Sequence, residues 1–413
     1  MSNSPLNDLK SATTNVSVIV VSRGRPTWLA RCLLAIRQLD YPNFEVIVVA
    51  DRESLTLVDC TDMKTVDFDI PNISAARNAG IQQASGEICA FIDDDAVPEP
   101  LWLAHIANAF RATEADAVVG YVRGRNGISY QSRTSSVDIQ AETHNEPDQS
   151  ADPFVPKLSP GRALKLVGTN MAFRREALSA LNGFDEALAY YLEDTDISLR
   201  LHKSGRRAAV APMAEVHHGY APSERRTHRR TPIDLFDLAR SSAIFFRRHD
   251  TPNVDELYTR ITKSEVKRLF QHMVMGTCEP RDIRKVMKTF EEGWKIGQIA
   301  QFIEEPRKLQ PRAKFSPLIP TASGHHVLAS RLMKRGKTLQ KAANLTRNGQ
   351  RASVFSFSLT PVRHHVRYTK SGVWVQTGGQ FGRSTRNSRL FMWCRFASRL
   401  RDERQRIAKI RGI

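Results

Sequence analysis

The chain has 413 residues, 41% of them apolar, enough for two domains or one enlarged one around a sizeable core. Its formal charge of +18 is divided unevenly: residues 301–413 hold 24 Lys and Arg against 4 Asp and Glu, and the remainder is close to neutral. A fold that binds nucleic acid over its whole surface would not divide in this way. The basic region reads as a partner for an anionic surface, phospholipid or nucleic acid. The Leu390, Trp393, Phe396 and Leu400 stripe favours an anionic membrane surface, with no nucleic acid expected.

The five cysteines, Cys32, Cys60, Cys89, Cys278 and Cys394, are odd in number and lack close pairing, which argues against disulfides or a zinc site. Residues 1–15 are expected to be disordered. No apolar run has signal-peptide or membrane-spanning length, so a cytoplasmic protein is expected, peripheral at the cytoplasmic face of the membrane.

In chain order, Val16 to Val21 is a β-branched run that reads as a buried strand, and Leu29, Cys32, Leu33 and Ile36 follow at helical spacing behind Pro26. Glu45 to Ala50 is a second strand ending on Asp51, so the unit should be a right-handed strand-helix-strand with parallel strands. No Gly-x-Gly-x-x-Gly follows the first strand, which weighs against a dinucleotide cofactor. Ser74 is placed to cap a short helix carrying Arg77 and Asn78. The apolar run from Ile88 to Ile92 then ends abruptly in Asp93-Asp94-Asp95. Three adjacent carboxylates repel one another, and at the carboxyl end of a strand in an open α/β sheet a divalent cation relieves the repulsion. Asp93 and Asp95 project to one side because strand side chains alternate. The alternative is that Asp95 caps a following helix whose stripe is Leu103, Ile106, Ala107 and Phe110.

Residues 121–165 read as a long irregular loop with Gly124, Gly127 and four prolines. After Leu166 to Arg175 (LVGTNMAFRR), Glu193-Asp194 stands just ahead of a helix with Ile197 and Leu201 inward and Gly205 as terminator. A helix start favours a carboxylate by ~0.3–1 kcal/mol, which suits Asp194 to accept a proton. Asp196 with Arg200 reads as a surface pair worth only ~0.2–0.5 kcal/mol. A strand over 208–211 precedes His217-His218 in a polar turn.

From Pro232 the pattern becomes helical to about Gln301, with Ile244, Phe245 and Phe246 packed behind Leu235, Leu238 and Ala239, either as core or as an interfacial helix. Pro306, Pro311, Pro317 and Pro320 mark a linker, and 363–376 reads as a hairpin about Ser371-Gly372. Leu390, Trp393, Phe396 and Leu400 repeat at helical spacing among arginines, which fits a helix in a membrane interface or the stripe of a small basic domain. The expected divisions are 16–231, 232–305 and 306–413.

Taken in order, the first strand, Asp51, the stretch SAARNAG, the stretch FIDDDAVPEP and the two later motifs around Thr169 and Asp194 resemble family 2 glycosyltransferases of the GT-A fold. The resemblance implies an α/β protein with a GT-A (Rossmann-like) mixed sheet flanked by helices, followed here by a helical segment and a basic C-terminal region. It implies an inverting enzyme that moves a sugar from a nucleoside-diphosphate sugar, UDP being the default, to a hydroxyl of a lipid-linked or polysaccharide acceptor. It assigns Asp51, Arg77, Asn78, Asp93 and Asp94 to the nucleotide-sugar, and Gly168, Thr169, Asn170 and Glu193 to the acceptor and sugar side. Asp194 is then the general base, and Asp95 with His217 (His218 as the fallback) holds Mn²⁺ or Mg²⁺. The turn Asp51-Arg52-Glu53-Ser54 departs from the family's Asp-Gly-Ser and leaves the nucleotide open. Two other classes predict different sequences: a nucleic-acid-binding protein would extend its Lys and Arg onto the body, and a catalytically silent scaffold would have lost an acid at the site.

Overall fold

The run Val16–Ser22 (β1) is apolar apart from Ser17 and the terminal Ser22 because it lies inside a sheet covered on both faces. Val16, Val18 and Val20 enter one core layer, and the intervening Ile19 enters the other. The structure, a computed structural model, describes residues 14–302 and 313–413. The expectations for residues 1–13, Pro306 and Pro311 lie outside the described residues.

β1, β2 (Phe44–Ala50), β3 (Lys64–Asp67) and β4 (Ile88–Asp93) are parallel in the order β3-β2-β1-β4. They are joined by α1 (Pro26–Ile36), α2 (Arg52–Leu57) and α3 (Ile73–Gln83). Asn72 rather than Ser74 caps α3, accepting from Ala75 N, while Ser74 Oγ donates to Leu188 O. Beyond the acids come β5 (Ala96–Pro98), α4 (Trp102–Thr113) and β6 (Ala117–Arg123). Asp95 is therefore not a helix cap; that position belongs to Leu101.

The stretch expected to be an irregular loop forms β7 (Tyr130–Ser132) on the edge of β6, and then β8 (Ser135–Val137), β9 (Thr143–Asn145) and β10 (Ala163–Leu164). The last three make a small antiparallel sheet. Strands of two or three residues are too short for alternation to show.

The main sheet continues β4-β11-β6-β12-β5, where β11 (Met171–Arg174) is antiparallel to both neighbours and is followed by α5 (Arg175–Ala180) and α6 (Glu193–Lys203). This change of direction beside β4 opens a crevice at the end of the strand that carries Asp93. β12 (Ala208–His218) is much longer than 208–211, because a register shift between Ala211 and Val216 lets it follow β6 and then pair with β5. The two histidines thus stand on a strand and not in a turn.

α7 (Phe236–Arg248), α8 (Val254–Val274) and α9 (Pro280–Ile299) bury Phe245, Phe246, Phe290 and Trp294 in one core, so this segment packs as core. Asp196 and Arg200 are not a surface pair: Asp196 is fully buried between Arg200 and His249, and ties α6 to α7.

The basic region is folded. β13 (Ser323–Arg331), α10 (Arg335–Arg347), β14 (Gln350–Ser358), β15 (His365–Tyr368), β16 (Val373–Gly379) and α11 (Phe396–Arg411) form a sheet in the order β13-β14-β16-β15. α10 covers Val354 and Val375 on one face, and α11 covers Phe355 and Phe357 on the other. β15 and β16 are the hairpin expected about Ser371-Gly372. The stripe expected from Leu390 to Leu400 is not one helix: α11 begins at Phe396, whose ring and Leu400 pack on the sheet core, whereas Leu390 and Trp393 lie ahead of it in the open.

This region is docked onto the body that carries the main sheet. Val366, Tyr368 and Trp374 pack with Ala35, Val97 and Ile128. Leu101 N donates to Ile410 O at 3.1 Å, and Arg411 forms a two-pronged ion pair with Glu99 at 2.7 and 2.8 Å.

Candidate active site

Asp93 ends β4 with its carboxylate in the crevice. Its Oδ2 accepts from Thr169 Oγ1 at 2.6 Å, and its Oδ1 lies 3.4 Å from Arg77 Nη2. Arg77, nearly buried on α3, also donates to Glu193 Oε1 at 2.9 Å. One guanidinium thus bridges a carboxylate from β4 and one from α6. Gly168 leaves room for it, since a Cβ there would overlap Arg77 Nη2 unless the guanidinium moved from its two carboxylates. Burial pushes the Glu193 carboxyl up to about 6, with Arg77 opposing.

The approach to α6 is strained. Tyr191 and Leu192 both have left-handed backbones, φ 73° and 64°, which are uncommon for bulky residues. That turn delivers Glu193 and Asp194 to the cleft at the helix start. Gly168 N donates to Asp194 Oδ2 at 3.3 Å, and Leu166 N donates to Ser198 Oγ at 3.0 Å, fastening the 166–169 segment to α6. Arg77, Asp93, Gly168, Thr169, Glu193 and Asp194 all line one cleft of about 760 Å³.

On the other side of the acidic turn, Asp95 Oδ1 lies 3.1 Å from His218 Nε2, and Oδ2 accepts from Ala221 N at 2.6 Å. Against the cost of burial, His218 and the Ala221 N–H hold the Asp95 carboxyl below its ordinary value, and Asp95 raises the imidazole in turn. Ligand atoms of Asp93, Asp95 and His218 lie within 4.8 Å of one another. Two carboxylates and one imidazole are a donor set that suits Mn²⁺ or Mg²⁺ with phosphate oxygens completing the shell.

His217 does not join them. On a strand its side chain must leave by the opposite face, and its Nε2 lies 2.9 Å from Glu99 Oε1. Asp94 also points away from its neighbours: it is fully buried, accepts from Ser22 Oγ at 2.6 Å and pairs with Arg25 at 2.7 Å. Burial pushes its carboxyl up to about 7 in spite of Arg25. Asn78 clamps the Phe184 backbone, accepting from its N–H and donating to its carbonyl. Asn170 accepts from Trp102 Nε1 and donates to Tyr121 O and Ala214 O. Asp94, Asn78 and Asn170 thus make these bonds to the protein around the site.

Asp51 caps α2, accepting from Ser54 N and Oγ and from Gly24 N. Against burial, those donors hold its carboxyl below the usual range. Sequence reasoning missed the far wall of the cleft, where α7 and α8 contribute Leu238, Phe246, Arg260 and Glu265. Helical periodicity reports a buried face but not what that face meets.

Residues 17–181 match the family described as glycosyl transferase family 2. A pre-mycofactocin glycosyltransferase of Mycobacterium tuberculosis (strain H37Rv) is 26% identical over 219 residues, covering 50% of this chain and 43% of that protein. The succinoglycan biosynthesis protein ExoM of Rhizobium meliloti is 28% identical over 224 residues, covering 51% of this chain and 68% of that protein. The matched part thus spans less than half the length of the first of these relatives. A crystal structure of S. aureus TarS 1-349 is 15% identical and covers 69% of this chain and 90% of that one, with a TM-score of 0.37, too low to bear on the fold.

Proposed function

We propose that this chain, which carries a family 2 glycosyltransferase region over residues 17–181, is an inverting glycosyltransferase. It takes a nucleoside-diphosphate sugar, UDP being the default, and transfers the sugar to a hydroxyl of a lipid-linked or polysaccharide acceptor at an anionic membrane surface on the cytoplasmic side. The observation that carries this reading is the meeting of Asp93 and Asp194 in one cleft, from opposite elements, with Arg77 and Glu193 between them. Similarity to a protein named for succinoglycan biosynthesis supports a polysaccharide acceptor.

Asp194 takes the proton of the acceptor hydroxyl as its oxygen bonds to the anomeric carbon and the bond from that carbon to the diphosphate breaks. The acceptor attacks from the face opposite the leaving group, which inverts the centre. Arg77 keeps Asp93 and Glu193 from repelling one another across the donor site. Asp51 belongs with the nucleoside end of the donor, Gly168, Thr169 and Glu193 with the sugar side. Mn²⁺ or Mg²⁺ held by Asp93, Asp95 and His218 would neutralise charge on the departing diphosphate.

A screen of nucleotide sugars with Mn²⁺, reading hydrolysis and transfer, tests the activity; failure to bind or turn over any of them would defeat it. For the cation site, Asp95→Ala and His218→Ala should each weaken metal-dependent binding of nucleoside diphosphate by more than the roughly 10–100-fold that losing an outer partner costs. His217→Ala should lose less than His218→Ala. Calorimetry with and without Mn²⁺ measures both, and the reverse order would return the ligand role to His217.

A further inference from the structure

No carboxylate occurs between Glu305 and Asp402, a stretch that contains 20 Lys and Arg. A protein surface ordinarily mixes both signs, so this one is built for an anionic partner. The fold gathers an apolar cluster on the same surface. Phe381 and Trp393 stack with ring centroids 5.0 Å apart and planes 4° apart, and Phe391 lies 5.6 Å from Phe381. Met392 N donates to Phe381 O, a bridge joins Gly382 to Phe391, and Gly379 N donates to Val362 O, so the turn at 359–362 and the segment 390–393 are neighbours across Phe381–Gly382. Trp393 is 83% exposed, Leu390 69%, Leu359 69%, Val362 60% and Phe391 51%. Arg363, Arg386, Arg389 and Arg395 are exposed beside them in sequence.

We propose that Leu390, Phe391 and Trp393, with Leu359 and Val362, insert into an anionic phospholipid surface while the neighbouring arginines engage its headgroups. This rests on the membrane-attachment reading above and replaces the continuous interfacial helix with a platform of two bonded loops. A lipid surface suits the cluster better than a polyanionic glycan or nucleic acid does, because Leu359, Val362 and Leu390 offer those ligands nothing to stack on or bond to. Charge together with apolar insertion is the pair of signals that stable peripheral attachment needs. The same docked region reaches the catalytic body through β15, where Val366 N donates to Asn126 O, so attachment here would hold the cleft at a fixed attitude to the bilayer.

The test is co-sedimentation of the full chain with phosphatidylcholine vesicles and with vesicles that also contain phosphatidylglycerol. The wild type should bind only the second kind, and salt should release it. Replacing Leu390, Phe391 and Trp393 by Ala should weaken vesicle binding about tenfold or more. Arg386→Glu, Arg389→Glu and Arg395→Glu together should weaken it at least ~10²-fold. Trp393 fluorescence, read against Trp393→Phe, should shift to the blue on vesicles. Metal-dependent nucleotide binding should be unchanged in every variant, which separates failure here from failure of the enzymatic reading. Vesicle binding that ignores the alanine variant, or tighter arginine-dependent binding to heparin or duplex DNA than to vesicles, would overturn the proposal.

Discussion

Asp194→Asn is expected to bind nucleotide as the wild type does and to transfer sugar ~10²–10⁴-fold more slowly, the span usual for loss of a general base. The substitution keeps the shape that receives the Gly168 N–H at 3.3 Å, so the 166–169 segment stays fastened to α6. What it removes is the capacity to take a proton. Glu193→Gln is the contrasting case. Its carboxylate is engaged by Arg77, which also reaches Asp93, so its loss should appear mainly in the KM for donor. Initial rates at varied donor, together with nucleotide affinity by calorimetry, separate the two. An Asp194→Asn enzyme that transfers at near wild-type rate would end the assignment of the base.

β1 and β2 of the central sheet were legible because they are buried on both faces and read as largely β-branched runs, interrupted only by Ser17 and Glu45, which bond to each other. Strand alternation was also the reason to put Asp93 and Asp95 on one side, but β4 ends at Asp93 and Asp94-Asp95 form a turn, so alternation says nothing of where Asp94 points. Its place among donor ligands came from the family resemblance alone, and the structure spends its carboxylate on Ser22 and Arg25 instead. The choice between His217 and His218 needed the knowledge that β12 runs on past Ala211, since a turn has no alternation to apply. Leu390 and Trp393 share helical spacing with Phe396 and Leu400, but Arg395 is extended and makes no capping bond, so nothing local announces where α11 starts. The docking of the basic region rests on partners some three hundred residues apart, which no periodicity can report.

Arg411→Met should cost about 3–5 kcal/mol of stability, because it strands a buried carboxylate. The Arg411 side chain is 3% exposed and that of Glu99 1%. Arg411 also donates to Ser353 Oγ at 3.0 Å and lies over the Trp374 ring. Against the cost of burial, Arg411 holds the Glu99 carboxyl far below its usual range. A depressed carboxylate stabilises the fold above its unfolded pKa, about 4.3, and that contribution fades as pH falls toward the folded value. The deficit of Arg411→Met should therefore be full at pH 7 and shrink in acid, where Glu99 takes up a proton and no longer needs a cation. Adding Glu99→Gln to Arg411→Met should recover part of the loss, since the uncompensated charge is gone. The effect should reach the cleft as well. Glu99 follows β5, whose Val97 and Ala96 pair with His217 and His218, so loosening this contact shifts the strand pair that carries a candidate cation ligand. Urea midpoints at pH 7 and pH 4 for the single and double variants decide the matter: a single variant within 1 kcal/mol of wild type at pH 7 would mean that the C-terminal region is not an integral support of the main sheet and its cleft.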